Sequence, residues 1–94
     1  MPEGYRIFET SRFEDVFGRI TPPGLRERLE ETLRDRIYPR LSAQPHYGPG
    51  IKKLKGIVPD TWRYRLGSWR LFYAIDDAAH VVSLLTIRPR KDAY

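Results

Sequence analysis

Three arginines flank one short turn. In the run Arg63-Tyr64-Arg65-Leu66-Gly67-Ser68-Trp69-Arg70-Leu71-Phe72-Tyr73, two alternating segments meet at Gly67-Ser68, where a glycine suits the positive φ of a type II′ hairpin turn. Counting outward from the turn pairs Leu66 with Trp69, Arg65 with Arg70, Tyr64 with Leu71 and Arg63 with Phe72, and paired residues share a face. Trp62, Tyr64, Leu66, Trp69, Leu71, Tyr73 and Ile75 then form an apolar face. Arg63, Arg65 and Arg70 lie on the other, two of them directly opposed. Like charges opposed across a ladder destabilise it unless an anion sits between them, and residues 61–75 contain no carboxylate. An external phosphate fits best, because the guanidinium fork matches its geometry. Phe72, on the arginine face, is the candidate to stack on a base, whereas Trp62 and Trp69 belong to the core. Lys52, Lys53 and Lys55, just upstream, are expected to hold phosphates without selectivity.

The charge is lopsided in the same sense. Of the formal +5, none comes from residues 1–50, which hold eight Arg against eight Asp or Glu; residues 51–94 hold nine Lys or Arg against four Asp. A neutral half beside a basic half predicts a surface turned toward a polyanion. The chain has no cysteine and only His46 and His80, which excludes disulfides and thiolate metal sites and leaves a histidine-built metal site without ligands; no metal and no cofactor is expected. His46 falls in a loop and is expected to be inert. The first residues lack a basic region followed by an apolar one, and no apolar run reaches the roughly 18 residues of a membrane span. A cytoplasmic protein without membrane contact is expected.

At 94 residues the chain predicts one domain, 1–94, with a modest core. Residues 4–10 are rich in β-formers and predict a first strand. Ser11 with Glu14 reads as a capping box opening a helix that ends near Arg19, with Phe13, Val16, Phe17 and Ile20 as its apolar stripe. Thr21-Pro22 reads as the start of a second helix whose Leu25, Leu29, Leu33, Ile37 and Leu41 recur every fourth residue. Arg26 with Glu30, and Glu30 with Arg34, then decorate a solvated face. Pro39 should bend or end that helix, and residues 42–50 should form a loop. The hairpin follows, then a turn over 76–79 and a strand from His80 to Ile87, ended by Pro89. The expected fold is α+β, in the order β-α-α-β-β-β, with two N-terminal helices packed on one face of a small four-stranded sheet.

Three stretches together, Lys52-Lys53-Leu54-Lys55-Gly56, the hairpin with its R-x-R-x-G-x-x-R-x-x-Y spacing, and Ile87-Arg88-Pro89-Arg90-Lys91-Asp92-Ala93-Tyr94, resemble the RelE/ParE toxins of bacterial and archaeal type II toxin-antitoxin systems. The resemblance covers essentially the whole chain and implies a RelE-like fold. It implies one of two activities: the RelE-like branch consists of ribonucleases that cut messenger RNA in the ribosomal A site, whereas the ParE-like branch inhibits DNA gyrase. By position Arg63 and Arg65 match the paired basic strand residues of the RelE-like branch, Arg70 the arginine after the turn, Arg90 the late arginine and Tyr94 the C-terminal tyrosine. Arg88-Pro89 departs from the Gly-His or Gly-Lys that commonly precedes the late arginine, and Arg88 is a candidate to substitute for it. A cognate antitoxin, messenger RNA and the ribosome are the implied partners.

RNA carries its own nucleophile, so cleavage requires only that a proton leave the 2′-hydroxyl, that the charged phosphorane be stabilised and that the 5′-oxygen be protonated as it departs. Under the resemblance Tyr94 is the expected base, its pKa of about 10 lowered by surrounding cations, Arg63, Arg65 and Arg70 hold the phosphate, and Arg90 serves the leaving group. The other two readings are a gyrase inhibitor and a non-catalytic RNA-binding domain.

Overall fold

The computed structural model describes residues 4–90, so Tyr94, the expected base, lies outside the described residues. A five-stranded sheet in the order β1-β5-β4-β3-β2 is built from β1 (Arg6–Glu9), β2 (Ile51–Lys53), β3 (Trp62–Leu66), β4 (Trp69–Asp76) and β5 (Val81–Pro89). All neighbours are antiparallel except β1 and β5, which run parallel with Arg6 opposite Val81 and Glu9 opposite Leu84. The strand β2 is one more than the sequence predicts. Its three residues are too few for a period-2 pattern to declare itself, and it is stitched on by a neighbour: Gly50, at φ +85°, accepts from the amide of Arg65 at 3.0 Å, and a Cβ there would meet the Arg65 carbonyl at 3.2 Å.

Two helical segments precede the sheet's central strands. The first, α1 (Ser11–Gly18), is capped one residue earlier than expected, by Thr10, whose hydroxyl accepts from the Phe13 amide at 3.2 Å and donates to the Leu84 carbonyl at 2.6 Å. That hydroxyl therefore caps the helix and ties it to β5. Thr10→Ala should cost about 1 kcal/mol, a typical N-cap loss, read as a lower urea midpoint with an unchanged slope.

The second segment begins at Pro23, behind a cis Thr21-Pro22 bond, with Pro22 at the cap position and no side-chain cap, so the expected threonine cap is not used. It runs as α2 (Pro23–Thr32), a π-turn (Leu33–Ile37) and α3 (Tyr38–Ala43). Pro39, expected to bend or end the helix, does not end it. Proline brings no N–H and crowds the carbonyl four residues back, and the wider π-turn just ahead, in which the Tyr38 amide reaches Leu33 O, is where the ladder absorbs that loss. The every-fourth-residue stripe holds through it: Leu29, Leu33, Ile37 and Leu41 are all buried. Glu30 and Arg34 pair at 2.6 Å as predicted, but Arg26 instead donates to the Ile20 carbonyl at 2.9 Å, closing off the end of the preceding turn. No helix among the described residues is long and apolar enough to cross a membrane.

The buried helical side chains join Trp62, Tyr64, Leu66, Leu71, Tyr73, Val82, Leu84 and Ile87 in one core. Trp69 and Ile75 pack at its margin. The apolar hairpin face thus meets the helices, and the sheet's other face carries the hairpin arginines together with Phe72.

Candidate functional site

The hairpin register is the one that the turn predicts: Leu66 opposite Trp69, Arg65 opposite Arg70, Tyr64 opposite Leu71, Arg63 opposite Phe72. Gly67 sits at φ +62°, and Ser68 is not among the residues with positive φ, which is the type II′ pattern. Flanking strands extend the basic row on the same face. Lys52 lies opposite Arg63, and Arg88 lies opposite Arg70. Across β2, β3, β4 and β5 the face turned away from the core therefore carries Lys52, Arg63, Arg65, Arg70 and Arg88, with cross-strand partners about 5 Å apart at Cβ. None of the ion pairs formed among the described residues involves Arg65, Arg70 or Arg88. Such a row of like charges raises the local positive potential.

Its members are not equivalent. Arg65 and Arg88 are exposed, but Arg70 is only 3% exposed, and its guanidinium Nη1 donates to the Trp69 and Gly67 carbonyls at 3.1 and 3.4 Å. The expectation that all three hairpin arginines wait at the surface is corrected to that extent. Arg70 Nε, buried, has no hydrogen-bond partner among the described residues, so Arg70 contributes charge from beneath the face while stiffening the turn. Arg90 lies at the same end: its amide donates to Ser68 O at 2.7 Å, which holds the late arginine beside the hairpin tip.

Strand alternation divides the lysines. Lys53 pairs with Trp62, so it points to the opposite side from Lys52; its Nζ stands 5.4 Å from the Trp62 ring centroid and 3.3 Å from Asp60. The three lysines expected to hold phosphates are thus divided, with Lys52 on the arginine face, Lys53 off it and Lys55 exposed beyond the end of β2. Phe72 is half-buried on the arginine face, between Arg63 and Thr86.

One feature on this face has no counterpart in the sequence reading. The β4–β5 register shifts between Phe72, opposite Thr86, and Tyr73, opposite Leu84, which leaves Leu85 as the extra residue of a bulge. Beside it opens a groove of about 570 Å³ lined by Thr10, Arg12, Thr61, Phe72, Leu85, Thr86 and Arg88.

A second cluster, at the β4–β5 turn, also escaped the sequence reading. Asp77 accepts from the Tyr5 hydroxyl and sits 3.0 Å from His46 Nε2, while Tyr5 stacks on His80 with centroids 4.7 Å apart. His46 is therefore a structural tie between the loop and the sheet rather than an idle loop residue. The tyrosine hydrogen bond, aided by His46, holds the Asp77 carboxyl below its usual range, and the same bond raises the Tyr5 phenol. A carboxylate with a depressed folded-state pKa stabilises above its unfolded pKa and ceases to do so as pH falls through the folded one. Asp77→Asn should accordingly lower the melting temperature at neutral pH, and the gap from wild type should close below about pH 4. No three of His, Cys, Asp and Glu among the described residues gather as a metal site.

The family described as "ParE toxin of type II toxin-antitoxin system, parDE" matches residues 11–94. Among solved structures, the RelBE2 toxin-antitoxin complex of Mycobacterium tuberculosis is similar at TM-score 0.73 and 25% identity, covering 93% of this chain and 92% of that one. The archaeal RelE-RelB complex of Pyrococcus horikoshii is similar at TM-score 0.67 and 26% identity, over 96% and 99% of the two chains. A mutant of Escherichia coli RelE in the free state, 22% identical over 96% of this chain and 87% of that one, shares the fold at TM-score 0.65. A search of curated proteins gives no match.

Proposed function

Because the chain belongs to the ParE toxin family of type II toxin-antitoxin systems, we propose that it is a toxin acting as a metal-independent, ribosome-dependent endoribonuclease that cleaves messenger RNA in the A site and so inhibits translation. One observation carries this reading: a cationic row runs across four strands of the sheet face turned away from the core, and its Arg65, Arg70 and Arg88 have no carboxylate partner among the described residues. Arg65, exposed at the centre of the row, is the proposed phosphate ligand. Arg63 stands beside it on the same strand, and Arg70 supports both with charge from below. As the 2′-oxygen attacks and negative charge grows on the phosphorane, these fixed cations stabilise that charge more than they stabilise the ground state.

Tyr94 is proposed to take the 2′-hydroxyl proton, and Arg90, held at the hairpin tip, to stabilise or protonate the departing 5′-oxygen. The P–O5′ bond breaks as the P–O2′ bond forms, leaving a 2′,3′-cyclic phosphate and a 5′-hydroxyl. Arg88 is the alternative to Arg90 in that role. The similar structures from M. tuberculosis and P. horikoshii are a toxin-antitoxin complex, RelBE2, and a RelE-RelB complex, which supports a cognate antitoxin as the partner of this chain.

The family description favours a second reading, inhibition of DNA gyrase. Primer extension on messenger RNA in a translating extract, run beside a gyrase supercoiling assay, separates the two. Discrete A-site cuts with unimpaired supercoiling support the nuclease; intact messenger with blocked supercoiling supports the gyrase inhibitor. Salt-sensitive RNA binding without either effect would leave a non-catalytic RNA-binding domain.

A further inference from the structure

The groove beside the β5 bulge is more than a continuation of the basic row. The half-buried Phe72 and Leu85 line it together with Thr10, Thr61 and Thr86, and Arg12 and Arg88 complete the lining. At about 570 Å³ it falls within the range of small-ligand sites, apolar with a few placed polar groups. The three hydroxyls differ in what they can still do. Thr10 donates to Leu84 O and accepts from the Phe13 amide, and Thr61 donates to Pro59 O at 3.0 Å. The Thr86 hydroxyl makes no hydrogen bond among the described residues, so it alone is uncommitted as both donor and acceptor.

We infer that this groove is a base-specific subsite for a single unpaired nucleotide of RNA, with Phe72 as stacking floor, Thr86 as the reader of the base edge, and Arg12 and Arg88 as ligands of the flanking phosphates. The inference rests on the nucleic-acid reading of this face and deepens it, because it assigns selectivity to the groove and gives a role to Arg12. The occupant follows from the chemistry. An aromatic floor accepts any base through its π-face, two cations call for anionic flanks, and Arg88 also belongs to the phosphate-facing row through its pairing with Arg70. The bulge supplies the shape: with one residue unpaired, Leu85 and Thr86 both line the groove, which strict alternation would forbid.

The test is a titration of isotopically labelled full-length protein with each of the four nucleoside 3′,5′-bisphosphates, followed through backbone amide resonances; it requires neither strand scission nor a ribosome. Saturable shifts at Phe72, Leu85 and Thr86 are expected, with the four affinities spread by about fivefold and that spread lost in Thr86→Val, an isosteric change that removes one hydrogen bond. Arg12→Gln should weaken all four by about fivefold through the lost charge-assisted contact, and Phe72→Leu by about tenfold through lost stacking. Shifts confined to Arg65 and its neighbours would overturn the subsite, as would four equal affinities that Thr86→Val leaves unchanged. Groove shifts produced by an oligoglutamate peptide and by no nucleotide would also overturn it, in favour of an acidic protein segment. Base-dependent groove binding by a protein that leaves messenger RNA intact would uphold the subsite and reject only the cleavage chemistry.

Discussion

Arg65→Ala should reduce messenger RNA cleavage by about 100- to 1000-fold, the loss seen when one preorganised stabiliser of a developing oxyanion is removed, while the protein melts within about a degree of wild type. The two halves of that expectation have separate causes. Arg65 is exposed, its side chain forms no ion pair among the described residues, and its place in the sheet is set by backbone pairing to Arg70 and Gly50, so little of the fold depends on its guanidinium. Cleavage, by contrast, needs a cation where charge develops. Arg65→Lys should recover part of the rate, since a point charge remains but the two-pronged contact is lost. Primer-extension band intensity at matched toxin concentration reads the effect; undiminished cleavage by Arg65→Ala would remove Arg65 from the mechanism.

A fall of about 3 kcal/mol in unfolding free energy is expected for Leu71→Ala, within the range for truncating a fully buried leucine. Leu71 is 0% exposed at the middle of β4, between Tyr64 on one neighbour and Ile87 on the other, where the sheet meets the helices. For a domain of this size such a loss lowers the melting temperature by roughly 12–24 °C. Ile75→Ala, near the end of the same strand and only partly buried, should cost less than half as much. Denaturant unfolding followed by tryptophan fluorescence measures both, and equal costs at the two positions would contradict the placement of the core.

How far these assignments were readable in advance depended on how local the cause was. The Gly67-Ser68 turn set the hairpin register, and with it which residues join the core and which face away, because a two-residue loop and a period of two leave one answer. The leucine stripe from Leu29 to Leu41 was equally plain. Other features rest on contacts between distant segments. β2 exists because Gly50 reaches Arg65; the bulge at Leu85 appears only when β5 must match β4 on one side and β1 on the other. Lys53 leaves the row of lysines as soon as β2 acquires a register, and the burial of Arg70 depends on carbonyls freed at the turn. The Pro39 case shows a signal read too simply, since a helix can widen ahead of a proline as well as break. Arg12 and Thr86 carried no local mark; only the meeting of α1, β4 and β5 makes them neighbours of one groove.

The parallel pairing of β1 with β5 has a consequence for how the molecule comes into being. Residues 6–9 have their ladder partner only in residues 81–84, so the strand at this edge of the sheet cannot pair until some seventy further residues have been made. Contacts this distant along the chain slow folding and leave early segments unprotected in the meantime. A nascent chain stalled before residue 81 lacks the strand to which Arg88 belongs and the bulge that shapes the groove, so its basic surface is completed only once residues 81–89 have been delivered.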